Sequence, residues 1–481
     1  MPSNQKSRWR LGIGTCAAVL LLIGGGGAML AYNHLDLERR RCDPERLEKL
    51  AKIGLPSCTT QGLGMDSKSI LIADWPQWRG INREGISLET GLCQTWPVTG
   101  PKTVWRKNIG RGFSSLVVVG SRLYTMDEEI ARGEMRKPKS EIRDPNEESA
   151  DSMPHEGVVC LDAQTGDELW QFRSPLSYVE RFGSGPRSTP VVDTHRVYAV
   201  GPTGFLYCLK ADTGELLWQH NLLAEFHGRP MCYGVAFSPL VEGDLVVTTP
   251  GGPDGNAVVA FNKYTGSIAW KALDDPMGYS SPIAATIAGV RQLLVFTNTA
   301  LVSLSPADGR TYWRYPWETA DGFNIATPLA FGDCVFISSG YGKGCALLEI
   351  TREADDSLQA YRVYEHNRMR NHFASSVRLG DYLYGFDQTD LVCMEVRTGK
   401  IVWREKAFRS FGKGSLLIAD GNLIVMGESG KLSLAQATPN GFHEKASFQV
   451  SQNKCWTVPI VARGRLYVRT ESQIICLDLR P

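Results

Sequence analysis

An all-β fold, an eight-bladed β-propeller, is what this sequence predicts, and three observations predict it. A short motif recurs in which a small residue is followed by a turn glycine and then, four residues on, by a tryptophan. Eight segments open with small or hydroxyl residues and run into apolar strands. The last copy of the motif breaks off at the end of the chain, while a tryptophan strand near residue 105 has no partner before it. Strand-built repeats at intervals of about 40–50 residues mark a propeller or an array.

The motif is clearest in Leu206-Tyr-Cys-Leu-Lys-Ala-Asp-Thr-Gly-Glu-Leu-Leu-Trp218. Its copies are Cys160…Gly166…Trp170, Cys208…Gly214…Trp218, Ala260…Gly266…Trp270, Ser303…Gly309…Trp313 and Cys393…Gly399…Trp403. The glycine supplies the positive φ of a tight hairpin turn, and Asp or Thr beside it bonds the turn backbone. The tryptophan offers a large flat surface to bury against the neighbouring blade, and the small residue leaves room for it. The repeat is architecture rather than chemistry, with Trp105, Trp170, Trp218, Trp270, Trp313 and Trp403 as the docking side chains.

The innermost strands are expected to start near Ser114-Ser115-Leu116, Ser188-Thr189-Pro190, Phe237-Ser238-Pro239, Ser280-Ser281-Pro282, Ala326-Thr327-Pro328, Ala374-Ser375-Ser376, Gly414-Ser415-Leu416 and Thr457-Val458-Pro459. Period-two patterning and Gly-Asp or Asp-Gly turns support hairpins after each. Two blades depart from the pattern. The fifth (Cys345 to Ile350) replaces the glycine turn with Arg352-Glu-Ala-Asp-Asp356 and has no tryptophan, and the seventh (Lys431 to Leu434) carries Pro439-Asn-Gly441 and Phe448. Ile474-Ile-Cys-Leu-Asp478 begins one more copy, then the sequence stops, whereas Val104-Trp105-Arg106 stands alone ahead of the first blade. A ring explains both: the N-terminal strand closes the last blade and leaves no large open sheet edge.

Lys and Arg number 52 against 51 Asp and Glu, a formal net charge of +1, which argues against a general nucleic-acid binder. Residues 1–10 are basic, and Leu11 to Tyr32 form an uncharged, mostly apolar run. At about 1.5 Å per helical residue that run spans a bilayer core of about 30 Å. It reads as an uncleaved transmembrane anchor, with a cleaved signal peptide as the competing reading. Arg39-Arg40-Arg41 on its far side leave orientation less determined; the bulk of the chain is placed outside the cytoplasm, facing the periplasm.

Residues 33–73 read as a short charged helix and a linker, and 74–100 as a lead-in segment, opened by Asp74-Trp-Pro-Gln-Trp-Arg-Gly80, that covers one end of the propeller (101–481). The charged stretch 127–156 reads as a solvated loop inserted in the first blade. Of the 12 cysteines, Cys160, Cys208, Cys393 and Cys476 hold one repeat position as small buried hydrophobes. A Cys42–Cys58 bridge is open if the compartment is oxidising.

The pattern small-x-Asp-x-x-Thr-Gly-x-x-x-Trp resembles the tryptophan-docking repeat of the pyrroloquinoline quinone (PQQ)-like eight-bladed propellers, over roughly residues 100–481. That superfamily includes quinoprotein alcohol dehydrogenases and the propeller lipoprotein of the outer-membrane β-barrel assembly machinery. Asp74-Trp75 with Asn82 looks like the lead-in of the dehydrogenases. The resemblance implies PQQ held with calcium in the dehydrogenases, beside an adjacent cysteine pair and a Trp-Asn…Gly-Asp-Asn box. Neither stands in this sequence, Pro253-Asp-Gly-Asn256 being the nearest fragment. Fold alone does not carry an activity.

Loops leading into the inner strands of a propeller crowd round its channel. Here they carry Arg111, Arg187, Tyr279, Asn324, Asn371, His372, Lys413, Lys454 and Trp456, with His366, Arg368 and Arg370 nearby. Cations among aromatics suit an anionic group or an acidic partner segment, while an ordinary solvated rim is the plainer reading. No catalytic residues, cofactor or metal are expected. The expected function is a membrane-anchored, non-catalytic interaction scaffold in the cell envelope, with an unidentified envelope protein or peptide as partner. The alternative is a PQQ-dependent oxidoreductase with its cofactor in the channel.

Overall fold

The computed structural model describes residues 72–129, 155–175, 183–406 and 411–481. Among the described residues, eight sheets, each built on four antiparallel strands, make the eight blades, and in blades 1 to 7 those four follow chain order. Blade 1 runs through Val117–Val119, Arg122–Glu129, His155–Asp162 and Glu168–Pro175; blade 2 spans Val191 to Asn221, blade 3 Leu240 to Ala272 and blade 4 Ile283 to Pro316. Blades 5, 6 and 7 span Leu329 to His366, Val377 to Glu405 and Ser415 to Gln449. Blade 8 takes Ile460–Ala462, Arg465–Arg469 and Gln473–Asp478 from the end of the chain, and its outer strand, Thr103–Asn108, from the beginning. Trp105 pairs with Cys476 in that ladder, so the ring closes where the broken repeat predicts.

The repeat positions coincide in space. The small residue faces the tryptophan across the two outer strands in the pairs Cys160–Trp170, Cys208–Trp218, Ala260–Trp270, Ser303–Trp313 and Cys393–Trp403. Each ladder slips by a residue beside that pair, the added twist that a bulge brings. Trp105, Trp170, Trp218 and Trp270 then lie over Gly166, Gly214, Gly266 and Gly309 of the following blade; a methyl on those glycines would stand 2.5–2.9 Å from the ring. Their indole N–H groups donate to carbonyls of the same turns, Trp170 to Ala211 at 3.0 Å and Trp270 to Pro306 at 2.9 Å. Cys160, Cys208, Cys393 and Cys476 are all buried, and burial pushes each thiol up to about 12.

The irregular blades solve the same packing problem with other side chains. Blade 5 covers Gly399 of blade 6 with Tyr364 and His366, stacked on each other at 4.9 Å, and the Tyr364 hydroxyl donates to the Val396 carbonyl at 2.8 Å. Facing the glycine-free turn of blade 5, Trp313 sends its N–H back to Gln292 of its own blade at 2.8 Å. In blade 7 Phe448 covers Gly100. That glycine belongs to Thr99-Gly100, the turn missing after Asp478. The Asp478 N–H donates to Lys102 at 2.9 Å, as Asp162 does to Asp167 and Lys210 to Glu215. Blade 8 is thus a complete repeat with its turn as well as its last strand borrowed from the N-terminal side.

Two expectations need correction. The ends of the stretch 127–156 are not a solvated loop: the second and third strands of blade 1 extend through Glu129 and from His155, and Asp127, Glu128 and Glu156 are buried. The lead-in is also not merely laid against the body, because Ile86–Ser87 adds a short parallel fifth strand to blade 7. The anchor at Leu11 to Tyr32, the Cys42–Cys58 pair and residues 130–154 lie outside the described residues. Among the described residues no helix is long and apolar enough to cross a membrane.

Candidate functional site

The small and hydroxyl residues that open the inner strands link blade to blade around the axis. Ser115 N–H donates to the Thr189 hydroxyl at 3.1 Å, Thr189 N–H to Ser238 at 2.9 Å, and Ser238 N–H to Ser281 at 2.9 Å. Thr327 N–H continues the pattern to Ser375 at 2.9 Å. Short hydroxyl side chains fit this narrow ring and satisfy buried backbone donors that the strands leave unpaired.

Residues 74–89 then cross the channel and bond to every blade. Trp75 bridges to Val118 of blade 1, Val192 of blade 2 donates to Pro76, and Arg83 donates to Pro239 and Pro282 at the openings of blades 3 and 4. Trp78 donates to the Thr327 hydroxyl at 2.8 Å, Arg79 to the Ser375 and Ser376 carbonyls, and Ile86 pairs with Ile418. Asp74 is ion-paired with Arg463 at 2.7 Å in blade 8. Arg79 and Arg83 are buried and bonded mainly to carbonyls; burial pushes their guanidiniums down to about 9, leaving both cationic at neutral pH.

Above this crosspiece lies a well of about 390 Å³, floored by Trp78. In blades 3, 4 and 6 the lining residues Ser238, Ser281 and Phe373 come just before the Pro239, Pro282, Ser375 and Ser376 carbonyls that Arg83 and Arg79 hold, so the crosspiece closes the well below. Its wall is a belt of rings in mutual contact. Phe113 meets Trp456 at 5.3 Å, Trp456 meets Phe373 at 5.7 Å, and Tyr341 meets His372 at 4.7 Å and Phe323 at 5.0 Å. Phe323 touches Tyr279 and Tyr233, and the Arg187 guanidinium closes the circle over Tyr233 at 5.6 Å and Phe113 at 5.5 Å. Cation–π attraction of this kind draws a guanidinium towards aromatic faces.

Among the described residues, the charged side chains at the well are cations. Arg187 and Lys413 line it, and Lys454 lies over Trp456 at 4.1 Å. No Asp or Glu is among the lining residues; Glu428 sits behind the belt, accepting from the Trp456 indole at 3.3 Å. Burial first, and then Lys413, push His372 down to about 4, so its neutral ring accepts from Lys413 at 3.2 Å. That leaves the hydrogen on Nδ1, which is buried without a hydrogen-bond partner.

Of the rim residues expected from sequence, Arg187, Tyr279, His372, Lys413 and Trp456 meet in the well and Lys454 stacks on its wall. Arg111 does not line it; it pairs with Glu128 at 3.3 Å. Asn371 and Asn324 are buried latches, Asn371 between Phe386 and Ser376, and Asn324 bonded to Thr297 and Ser339. Arg370 pairs with Asp387, Arg368 bonds Gly399, and His366 stacks on Tyr364, all away from the lining. Sequence reasoning missed Trp78, Phe113, Tyr233, Tyr341 and Phe373. Phe113 and Phe373 stand just before inner-strand openings already identified, a signal that could have found them.

A PQQ-like propeller with a plugged channel is the class that this architecture defines. The sequence profile described as outer membrane protein assembly factor BamB matches residues 154–405, just over half of the chain, and the chain belongs to that family. The BamB of Yersinia pestis is 23% identical over 288 residues, covering 56% of this chain and 68% of that protein. Among solved structures, BamB from Moraxella catarrhalis superposes with a TM-score of 0.52 at 13% identity, over 78% of this chain and 97% of its own. The quinohemoprotein alcohol dehydrogenase from Comamonas testosteroni gives 0.57 at 12% identity, over 92% and 83%. At these identities the structural likeness shows the fold.

The resemblance of the repeat to the PQQ-like propellers raises PQQ held with calcium as a group to test against the lining. Calcium takes six to eight oxygen ligands, carboxylates prominent among them. The lining offers the hydroxyls of Ser238, Ser281 and Thr457 and three phenols, but no carboxylate. Among the described residues no group of His, Cys, Asp and Glu could hold a metal. The lining therefore does not fit the metal-bound cofactor, and no redox step is derived through it.

Proposed function

We propose that this protein is a non-catalytic interaction scaffold of the cell envelope, tethered through Leu11 to Tyr32 with its propeller facing the periplasm. A partner protein engages the rim formed by Arg187, Tyr279, His372, Lys413, Lys454 and Trp456. The observation that carries this reading is the mouth above the crosspiece, whose described lining combines rings and cations, a surface that suits recognition. The names of the relatives, outer membrane protein assembly factors, support an envelope setting.

A photo-reactive residue placed at Lys454 is expected to crosslink one envelope protein in cells, while the same residue at the outer-edge position Val402 is not. Alkaline extraction is expected to leave the full chain in the membrane fraction and release a chain starting at residue 33. The competing reading, a PQQ-dependent oxidoreductase, is favoured by the dehydrogenase structure above. Alcohol-dependent dye reduction by purified protein given PQQ and calcium would replace the scaffold reading with it.

A further inference from the structure

We propose that His220 is a proton-operated latch between blades 2 and 3: doubly protonated, it holds the chain that leads to the mouth, and on losing a proton to water it lets that chain loosen. The ring stands on the outer strand of blade 2, two residues after the docking Trp218. Its Nδ1 is 2.7 Å from a carboxylate oxygen of Glu225, and its Nε2 is 2.7 Å from the carbonyl of Gly266, in the blade 3 turn that Trp218 covers. A carboxylate and a carbonyl only accept, so both ring nitrogens donate, and an imidazole with two N–H groups is a cation. The ring also stacks on Phe261 at 4.5 Å, which fixes the plane in which both bonds are made. His366 is the contrasting case: it stands two residues after Tyr364 in blade 5, its Nε2 meets the Thr398 carbonyl at 3.3 Å, and among the described residues no carboxylate is bonded to it. A neutral ring satisfies that place.

Glu225 ties the ring to the chain that follows. The short helix Leu222–Phe226 is capped by Asn221, whose side chain accepts from the Ala224 N–H at 3.1 Å. Glu225 uses its other oxygen to accept from the Asn221 N–H at 2.7 Å. Beyond Phe226 the chain runs on to Tyr233 in the lining of the well. A neutral ring keeps one N–H and turns a lone pair on the second acceptor. Gly266 is fixed in its turn, whereas the Glu225 side chain is 42% exposed, so Glu225 is the partner that swings into water. The Asn221 N–H then loses its acceptor and the first turn frays, while Leu222 and Phe226 stay buried. Other ionisable groups on the elements around the ring are engaged with one another: Lys263 with Asp193 at 2.8 Å and Asp244 at 3.8 Å, Lys210 with Glu215, and Tyr264 with the Arg196 and Lys263 cations. His227 and Arg229 stand exposed beyond the helix.

Amide hydrogen exchange of the full chain, corrected for the intrinsic effect of pH on exchange, tests the latch between about pH 5 and about pH 8, the span over which histidine changes charge. Protection of residues 221–224 is expected to fall about tenfold to a hundredfold as pH rises, the range for a hydrogen bond to a charged group. Protection of residues 228–235 is expected to fall with it. Two substitutions remove the need for the second proton. His220→Phe keeps a ring against Phe261, and Glu225→Gln, at an exposed position that does not endanger the fold, supplies an amide N–H that donates to the neutral ring. Each is expected to leave protection that does not change with pH. Protection independent of pH in the unsubstituted chain, or an equal fall in both variants, overturns the proposal. A fall confined to 221–224 overturns the link to the mouth. The latch makes no use of the rim cations, so it and the scaffold reading can each fail alone.

Discussion

The outer edge of the ring and its axis are built on opposite plans. At the edge, one contact is copied from blade to blade, an indole over a glycine turn, and where tryptophan is absent Tyr364 with His366, or Phe448, takes its place. At the axis only the hydroxyl links between inner strands recur. Each blade contributes one to three different side chains to the well, and a single segment outside the repeats ties the blades together through unlike bonds. The edge contact is made by several kinds of flat ring, whereas the lining of the axis differs from blade to blade.

This contrast can be broken or sharpened by experiment, beginning at the edge. Gly214→Val puts a branched side chain at a φ of +74°, with its Cβ 2.5 Å from the Trp170 ring. Left-handed strain and overpacking together are expected to cost about 2–5 kcal/mol, read as a lower denaturant midpoint. At the axis, Arg79→Met strips donors from the Ser375, Ser376, Arg83 and Glu84 carbonyls. A loss of about 2–3 kcal/mol is expected, partly offset by removing a buried charge; a neutral outcome would mean that the crosspiece is a cover and not a tie.

A third test falls on the seam between the two regions, where Glu156 of blade 1 faces Thr203 and Tyr207 of blade 2. Burial pushes its carboxyl up to about 8, while in the unfolded chain it ionises near the ordinary value of 4.5. Between those values the folded state holds the extra proton, so this group makes stability fall as pH rises. Glu156→Gln removes that dependence. Its stability relative to the unsubstituted protein is expected to rise from pH 5 to pH 8 by on the order of 2 kcal/mol, measured by urea unfolding at both values. The smallest effect belongs to Gly243→Ala, at a φ of +58° with open space around the new methyl. About 1 kcal/mol from backbone strain alone is expected, so comparison with Gly214→Val isolates the share due to the indole.

The same contrast explains what was legible in the sequence. The edge contact uses residues a fixed few positions apart, so the copies and the closure at Trp105 could be read directly. Thr99-Gly100 escaped because five positions, rather than four, separate that glycine from Trp105. At the axis, the cations Arg187, Lys413 and Lys454 were found by their places ahead of inner strands, but so was Arg111, whose partner Glu128 lies in what reads as a loop. The belt itself has no linear signature: its rings come from separate blades, and each becomes a neighbour of the next only when the ring is closed. Trp78 and the buried arginines beside it depend on where the lead-in crosses, which no local pattern fixes.

The borrowed turn and strand of blade 8 have a consequence for how the molecule is made. Thr103–Asn108 emerges from the ribosome near the start of synthesis, yet its partner Gln473–Asp478 follows more than three hundred residues later. Until then the strand bearing Trp105 has no mate, and pairings so distant in sequence form slowly. Blade 8 is therefore the one blade whose sheet cannot form from a contiguous stretch of chain.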